Sequence, residues 1–197
     1  MRWLGFLWVG LVACSGTTTD TTDDPLPNCD EAYYGNTEGI ECGELTRDGS
    51  GTASSNGGTV TGYTGEEVWV FRAGFGYGDD LCTLSYDLTS TAPHVDCPAN
   101  CGKLGWAFDM DISNAAIGTN VDGACDRVLD ILGLSDVTDL NGTQTTRGYD
   151  PDWEGHAEYL WLYDAEAEEW NGGTYCQFDE GSGEVTYSFW YDGIYAY

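Results

Sequence analysis

Apolar and polar residues alternate with a period of two along three stretches of the chain. Over residues 81–89, Cys82, Leu84, Tyr86 and Leu88 fall on one side, and Thr83, Ser85, Asp87 and Thr89 on the other. Over residues 103–112, Leu104, Trp106, Phe108, Met110 and Ile112 oppose Lys103, Gly105, Ala107, Asp109 and Asp111. Over residues 184–191, Val185, Tyr187, Phe189 and Tyr191 alternate with Thr186, Ser188 and Trp190. Each pattern predicts an antiparallel strand with one face on a core and the other in water. Less regular runs predict strands over 59–64, 67–72, 115–119, 143–148, 157–163 and 174–178. Turn residues punctuate them. Asp179, Gly181 and Gly183 predict a hairpin loop, Asn171, Gly172 and Gly173 a second turn, and the glycines of 73–79 a mobile hairpin tip. One helix is predicted over 122–132, with Val128, Leu129 and Leu132 on its apolar face, Asp122 as cap and Gly133 as stop. Roughly eight or nine strands and one short helix make an all-β fold, an antiparallel β-sandwich or barrel.

The N-terminal region follows a different pattern. Arg2 precedes an unbroken apolar run over residues 3–13. At 1.5 Å per residue such a run covers about half of a ~30 Å hydrocarbon core, so it matches the apolar stretch of a signal peptide and not a membrane span. Leu11, Val12, Ala13 and Cys14 close it. This segment resembles the lipobox of bacterial outer-membrane lipoproteins. The resemblance covers the first fourteen or so residues. It implies cleavage before Cys14, a diacylglycerol thioether on the Cys14 sulfur, and a further acyl chain such as palmitate on the new amino group. Ser15, following the Cys, implies sorting to the outer membrane. Several acyl chains hold far more firmly than one, which binds reversibly.

The expected organisation is therefore a signal peptide over 1–13 and a lipidated tether over 14–28, followed by two folded or looped parts. The tether is rich in Thr and Asp, and Leu26 is its one aliphatic side chain, so it cannot offset its ordering entropy by burial. Residues 29–58 are expected to form a Cys-closed segment, through Cys29 and Cys42, and then a Gly/Ser-rich stretch from residue 48 that is a loop or more spacer. Residues 59–197 are expected to be the β-rich head.

Charge and cysteine content narrow the class. The 197 residues hold 6 Lys and Arg against 34 Asp and Glu, for a net charge of -28. That excess argues against nucleic acid as a partner and against electrostatic docking on anionic lipid, which leaves the lipid anchor as the membrane contact. Hydrophobic residues at 41% and aromatics at 14% are too abundant for a disordered acidic tail. With Cys14 lipidated, seven of the eight cysteines remain: Cys29, Cys42, Cys82, Cys97, Cys101, Cys125 and Cys176. Export makes them disulfide candidates, with an odd one left over. Cys29 with Cys42 is the favoured pair, and the Cys97–Cys101 loop is expected to pair outward, one of its cysteines to Cys82. Structural zinc lacks a second short-spaced pair beside Cys97, Cys101 and His94.

Two patterns could carry binding. Asp150, Asp152 and Glu154, followed by Gly155, match the opening of a calcium loop, with Asp164 as a later ligand, although Trp161 stands where the bidentate Glu belongs. Asp136, Asp139, Asn141 and Gly142 repeat that pattern more weakly. The plainer expectation for both is a solvated acidic turn; calcium is the one cofactor the sequence admits. Tyr159, Trp161 and Tyr163 share one face of a strand whose other face carries Leu160 and Leu162. The plainer expectation is a strand covered on both sides. The alternative is an exposed aromatic row, which stacks on sugar rings or partner side chains. His94 and His156 sit in no catalytic motif, and neither G-x-S-x-G nor H-E-x-x-H occurs. The head is similar in style to β-rich lipoprotein heads of Gram-negative bacteria. The expected protein is thus a lipoprotein of the cell outer membrane, with its head in the periplasm or at the surface. The head is expected to be non-catalytic, with a structural or interaction role toward a protein or glycan partner. The alternative is a carbohydrate- or peptide-binding β-sandwich stabilised by calcium.

Overall fold

The computed structural model describes residues 29, 42–74, 78–96, 105–151 and 158–196. The strands are β1 (Cys42–Asn56), β2 (Thr59–Ala73), β3 (Asp80–Pro93), β4 (Trp106–Asn120), β5 (Gln144–Pro151), β6 (Glu158–Asp164), β7 (Glu169–Phe178) and β8 (Glu184–Ala196). Helix α1 (Ala124–Ile131) and a 3-10 turn (Val137–Leu140) lie between β4 and β5. Each strand pairs antiparallel with the next, and β8 returns to β1, so a single sheet closes into an eight-stranded barrel. Of the two all-β architectures expected, the barrel is therefore the one formed.

Inward positions follow the period-two reading. Cys82, Leu84, Tyr86 and Leu88 of β3, and Phe108, Met110 and Ile112 of β4, are all buried in one core. Trp106 stacks between Tyr63 at 5.5 Å and Tyr149 at 5.8 Å. Helix α1 adds Cys125, Val128 and Leu129 to this core, and the 3-10 turn adds Val137 and Leu140. Outward positions of β1 include Glu44, Asp48, Ser50, Thr52 and Ser54, so this part of the wall is dressed for water.

Several sequence expectations need correction. The Gly/Ser-rich stretch from residue 48 is neither loop nor spacer: it completes β1, which pairs with β2 along its length and with β8. The boundary expected at residue 59 therefore cuts through a hairpin, whose two-residue turn is Gly57 and Gly58, both at positive φ. The small residues are there for packing. A Cβ at Gly49 would overlap the Tyr187 ring, and one at Gly51 or Gly65 would overlap Tyr63. The strands read separately over 59–64 and 67–72 are the single strand β2, and the one read over 115–119 is the end of β4. Asn171, Gly172 and Gly173 lie inside β7 and make no turn. Leu160 and Leu162 of β6 pair with Thr174 and Asn171, so β7 carries one extra residue there, a β-bulge. Asp122 does not cap α1; Gly123, in the left-handed region at φ 82°, takes that position with no side-chain cap. Gly133, at φ 68°, follows the helix as expected.

Disulfides join Cys29 to Cys42 and Cys82 to Cys125. The first is the expected pair. The second corrects the expected link from Cys82 to the 97–101 loop: it ties β3 to α1 across 43 residues. Cys176 lies buried inside the barrel. Cys14, Cys97, Cys101, the signal peptide, the tether and the tip of the 73–79 hairpin lie outside the described residues.

Candidate functional site

Among the described residues, two places hold the groups with most potential for binding or chemistry, one inside the barrel and one on its wall. Inside, Glu67 of β2 is fully buried, at 0% exposure. Its Oε1 accepts hydrogen bonds from Arg147 Nε at 2.8 Å and Tyr187 Oη at 2.6 Å. Its Oε2 accepts from Arg147 Nη2 at 2.8 Å and Tyr86 Oη at 2.5 Å. Arg47 adds a second cation, 3.9 Å from Oε2, and its guanidinium lies over Trp69 and Phe189 at 4.6 and 4.5 Å. Burial alone would push the Glu67 carboxyl up. The Arg147 and Arg47 charges, with hydrogen bonds from Arg147 and Tyr187, outweigh it and hold the group at about 2. Burial, reinforced by the Glu67 charge, drives the Tyr86 and Tyr187 hydroxyls upward, so both remain donors. Every one of these groups is spent on another within a packed interior. The constellation is a charged brace that ties β1, β2, β3, β5 and β8 together.

The second place is the outer wall over β5, β6 and β7. Leu160 and Leu162 enter the core, so Tyr159, Trp161 and Tyr163 point outward, where each is half-buried. Among the described residues a single sheet closes on itself, so no second sheet covers this face; the outward positions of β5 beside it, Thr146 and Asp150, are nonetheless buried, at 9% and 8% exposure. Register sets what stands beside the row. On β7, Tyr175 is opposite Tyr159 and Trp170 is opposite Tyr163. On β5, Asp150 is opposite Tyr159 and Gly148 is opposite Trp161. Tyr175 is 69% exposed; its ring is 4.9 Å from that of Tyr159, and the two hydroxyls are 3.3 Å apart. Tyr159 also meets Trp161 at 6.0 Å. The Trp161 indole lies across Gly173, where an added Cβ would come within 3.0–3.1 Å of its ring. Glycine in the bulge is thus what lets the indole lie flat on the sheet.

A second aromatic group adjoins the first. His94, just after β3, meets Tyr163 at 4.5 Å and Trp170 at 5.7 Å, and Tyr163 meets Trp170 at 5.1 Å. His94 Nδ1 pairs with Asp109 Oδ1 at 2.9 Å, and Thr146 Oγ1 donates to the same oxygen at 2.8 Å. Three ring nitrogens in this wall, His94 Nε2, Trp161 Nε1 and Trp170 Nε1, are buried from solvent and have no hydrogen-bond partner among the described residues. Burial, then the charges of Glu168, Asp96, Asp109 and Asp164, push the Tyr163 hydroxyl up.

Of the residues singled out from the sequence, the structure brings Tyr159, Trp161 and Tyr163 together and adds Trp170, Tyr175 and His94. The first calcium pattern falls mostly outside the described residues. Asp150 is buried at the end of β5, and Asp152 and Glu154 lie outside the described residues. Asp164 accepts from the Glu166 and Ala167 amides and so closes the β6–β7 turn. Asp136 and Asp139 form a capping box on the 3-10 turn, and Asn141 Oδ1 accepts from the Ala115 amide. Their oxygens serve the backbone. No family model matches the chain, and neither the curated proteins nor the solved structures include a match.

Proposed function

We propose that the protein is a lipoprotein of the cell outer membrane, anchored through Cys14, whose non-catalytic barrel head binds a glycan on the outer face of β6 and β7. The observation that carries the reading is the pair of aromatic groups on one outer face, Tyr159, Trp161 and Tyr175 beside Tyr163, Trp170 and His94, with Trp161 flattened over Gly173. Rigid rings with one face toward solvent stack on the C–H faces of sugars, and their polar tips reach hydroxyls. The two disulfides suit an oxidising compartment, and the charged outer positions of β1 suit a head held in water. A non-catalytic head accords with the burial of Glu67 and Arg147 inside packed side chains, where a substrate has no place.

The test is a glycan-array comparison of the wild-type chain with Tyr175→Ala and Trp161→Ala. The reading expects the wild type to retain a glycan and each variant to lose at least about tenfold in affinity, since each deleted ring removes a stacking platform. Unchanged binding by both variants, or no glycan retained by the wild type, overturns it. The anchor is tested separately by mass spectrometry of the native N-terminal peptide. An acylated Cys14 at the new N-terminus is expected; an unmodified Cys14 or an intact Met1 contradicts it.

A further inference from the structure

The chain holds three Asn-Gly dipeptides, at Asn56 and Gly57, Asn141 and Gly142, and Asn171 and Gly172. Asparagine is at its most labile in this setting, because glycine has no side chain to hinder attack by its own backbone nitrogen on the preceding carboxamide. The fold treats the three differently.

Asn141 and Gly142 are pinned. The Asn141 amide donates to the Thr138 carbonyl at 3.0 Å, and Asn141 Oδ1 accepts from the Ala115 amide at 2.9 Å. The Gly142 nitrogen, which is the attacking atom, donates to the Ile112 carbonyl at 2.9 Å. Asn171 and Gly172 lie inside β7, where Asn171 pairs with Leu162 of β6 and the following Gly173 lies beneath the Trp161 indole. Reaction at either place needs part of the barrel to open.

Asn56 and Gly57 stand at the tip of the β1–β2 hairpin. Asn56, Gly57, Gly58 and Thr59 are all exposed, and an added Cβ at Gly57 or Gly58 meets nothing within 4 Å. The Gly57 nitrogen donates to no partner among the described residues. The tip is also a ribbon of two strands only. Strand β1 pairs with β8 only as far as Thr52, and β2 takes up β3 only from Thr64, so the last pairs, Ser55 with Val60 and Asn56 with Thr59, have no third strand beside them. A register shift between Ser54 and Ser55 sets them apart from the pairs below. A two-stranded ribbon is marginal in water, and its terminal pair opens at almost no cost.

We infer that Asn56 is the site at which the folded protein deamidates. The Gly57 nitrogen attacks Asn56 Cγ and forms the N–Cγ bond of a succinimide; the Cγ–Nδ2 bond breaks, and the amide proton leaves with Nδ2 as ammonia. Water then opens the ring. Attack at Cγ restores the ordinary backbone and leaves aspartate. Attack at the Asn56 carbonyl carbon leaves isoaspartate, whose backbone runs through Cβ. Either product adds negative charge to a chain already at -28. Isoaspartate also lengthens the backbone at the closing pair of the hairpin, Asn56 with Thr59, and so unseats it. The inference is independent of the glycan surface, which lies on other strands.

The test is a timed incubation of the full chain in detergent micelles at mildly alkaline pH, where the attacking nitrogen gives up its proton more readily. Peptide mapping by mass spectrometry follows all three dipeptides, and a parallel sample in urea gives the rate of each without the fold. In the folded chain Asn56 is expected to deamidate at least about tenfold faster than Asn141 or Asn171, because the rate follows the population of open backbone. In urea the three rates are expected to converge. Asn56→Gln is expected to keep the melting temperature and to remove the fastest-forming acidic variant on ion exchange. Asn141 or Asn171 reacting as fast as Asn56 in the folded chain overturns the inference. So does an Asn56 that is silent in the folded chain, or an unchanged set of acidic variants in Asn56→Gln. Rates in urea that keep Asn56 ahead by the same factor overturn it too, because the selection then lies in the neighbouring residues and not in the fold.

Discussion

Glu67 and Arg147 stand 80 residues apart in the chain and meet inside the barrel in a two-point ion pair, each contact 2.8 Å long. Neither side chain touches water to any extent. The pair is a structural brace: Tyr86, Tyr187 and Arg47 complete the satisfaction of the carboxylate, and their strands are fixed in register by it. The fork of Arg147 matches the two carboxylate oxygens in a way a lysine could not.

Removing one partner of such a pair leaves an uncompensated buried charge. Arg147→Met is expected to destabilise the barrel by about 3–5 kcal/mol, measured as a lower urea midpoint at unchanged slope. Replacing both members with apolar residues of similar volume is expected to recover a large part of that loss. A single Arg147→Met variant as stable as wild type contradicts the bracing role.

The same carboxylate makes the fold sensitive to acid. Glu67 is held at about 2 in the folded chain, against an ordinary value of 4.5. A depressed folded value means that this stabilisation is fully present above about pH 4.5 and fades as pH falls toward 2, a loss of roughly 3 kcal/mol when complete. Asp136 and Asp179, lowered respectively by Thr138 and by the Ser182 and Gly181 amides, act in the same direction. Urea titrations between pH 6 and pH 2 are expected to give falling stability over the lower part of that range. In Glu67→Gln the fall is expected to be shallower.

Gly49 supplies a packing test. Its missing side chain is the space filled by the Tyr187 ring. Gly49→Ala is expected to cost about 1–3 kcal/mol through overpacking, read as a lower melting temperature. Gly49→Ala combined with Tyr187→Phe should not restore stability, because the phenyl ring still occupies the space and Glu67 loses a hydrogen bond.

Much of this architecture is written in short-range patterns. The alternation in Cys82, Leu84, Tyr86 and Leu88 names both a strand and its inward face, because the side-chain period of a strand is two. The brace is not legible in that way: Glu67 and Arg147 become neighbours through barrel closure, which no local window encodes. Strand β1 was hidden because Gly49 and Gly51 look like loop residues until the rings of Tyr187 and Tyr63 are placed over them. The aromatic row on β6 was visible, and its partners on β7 were not. Trp170 and Tyr175 stand five positions apart, an odd offset, which in a regular strand puts them on opposite faces. The bulge at 171–174 adds one residue and returns both to the outer wall. Even its signal, consecutive glycines, reads as a turn.

The central claim is that ligands meet the outer wall and not the barrel interior. It is tested most directly by following the indole N–H resonances of the tryptophans during titration with a retained glycan, assigned by single Trp→Phe substitutions. The account predicts shifts at Trp161 and Trp170, with Trp69 and Trp106, which are buried in the core, unmoved. Shifts at Trp69 or Trp106 with Trp161 and Trp170 silent would contradict it and move the binding site inside the barrel.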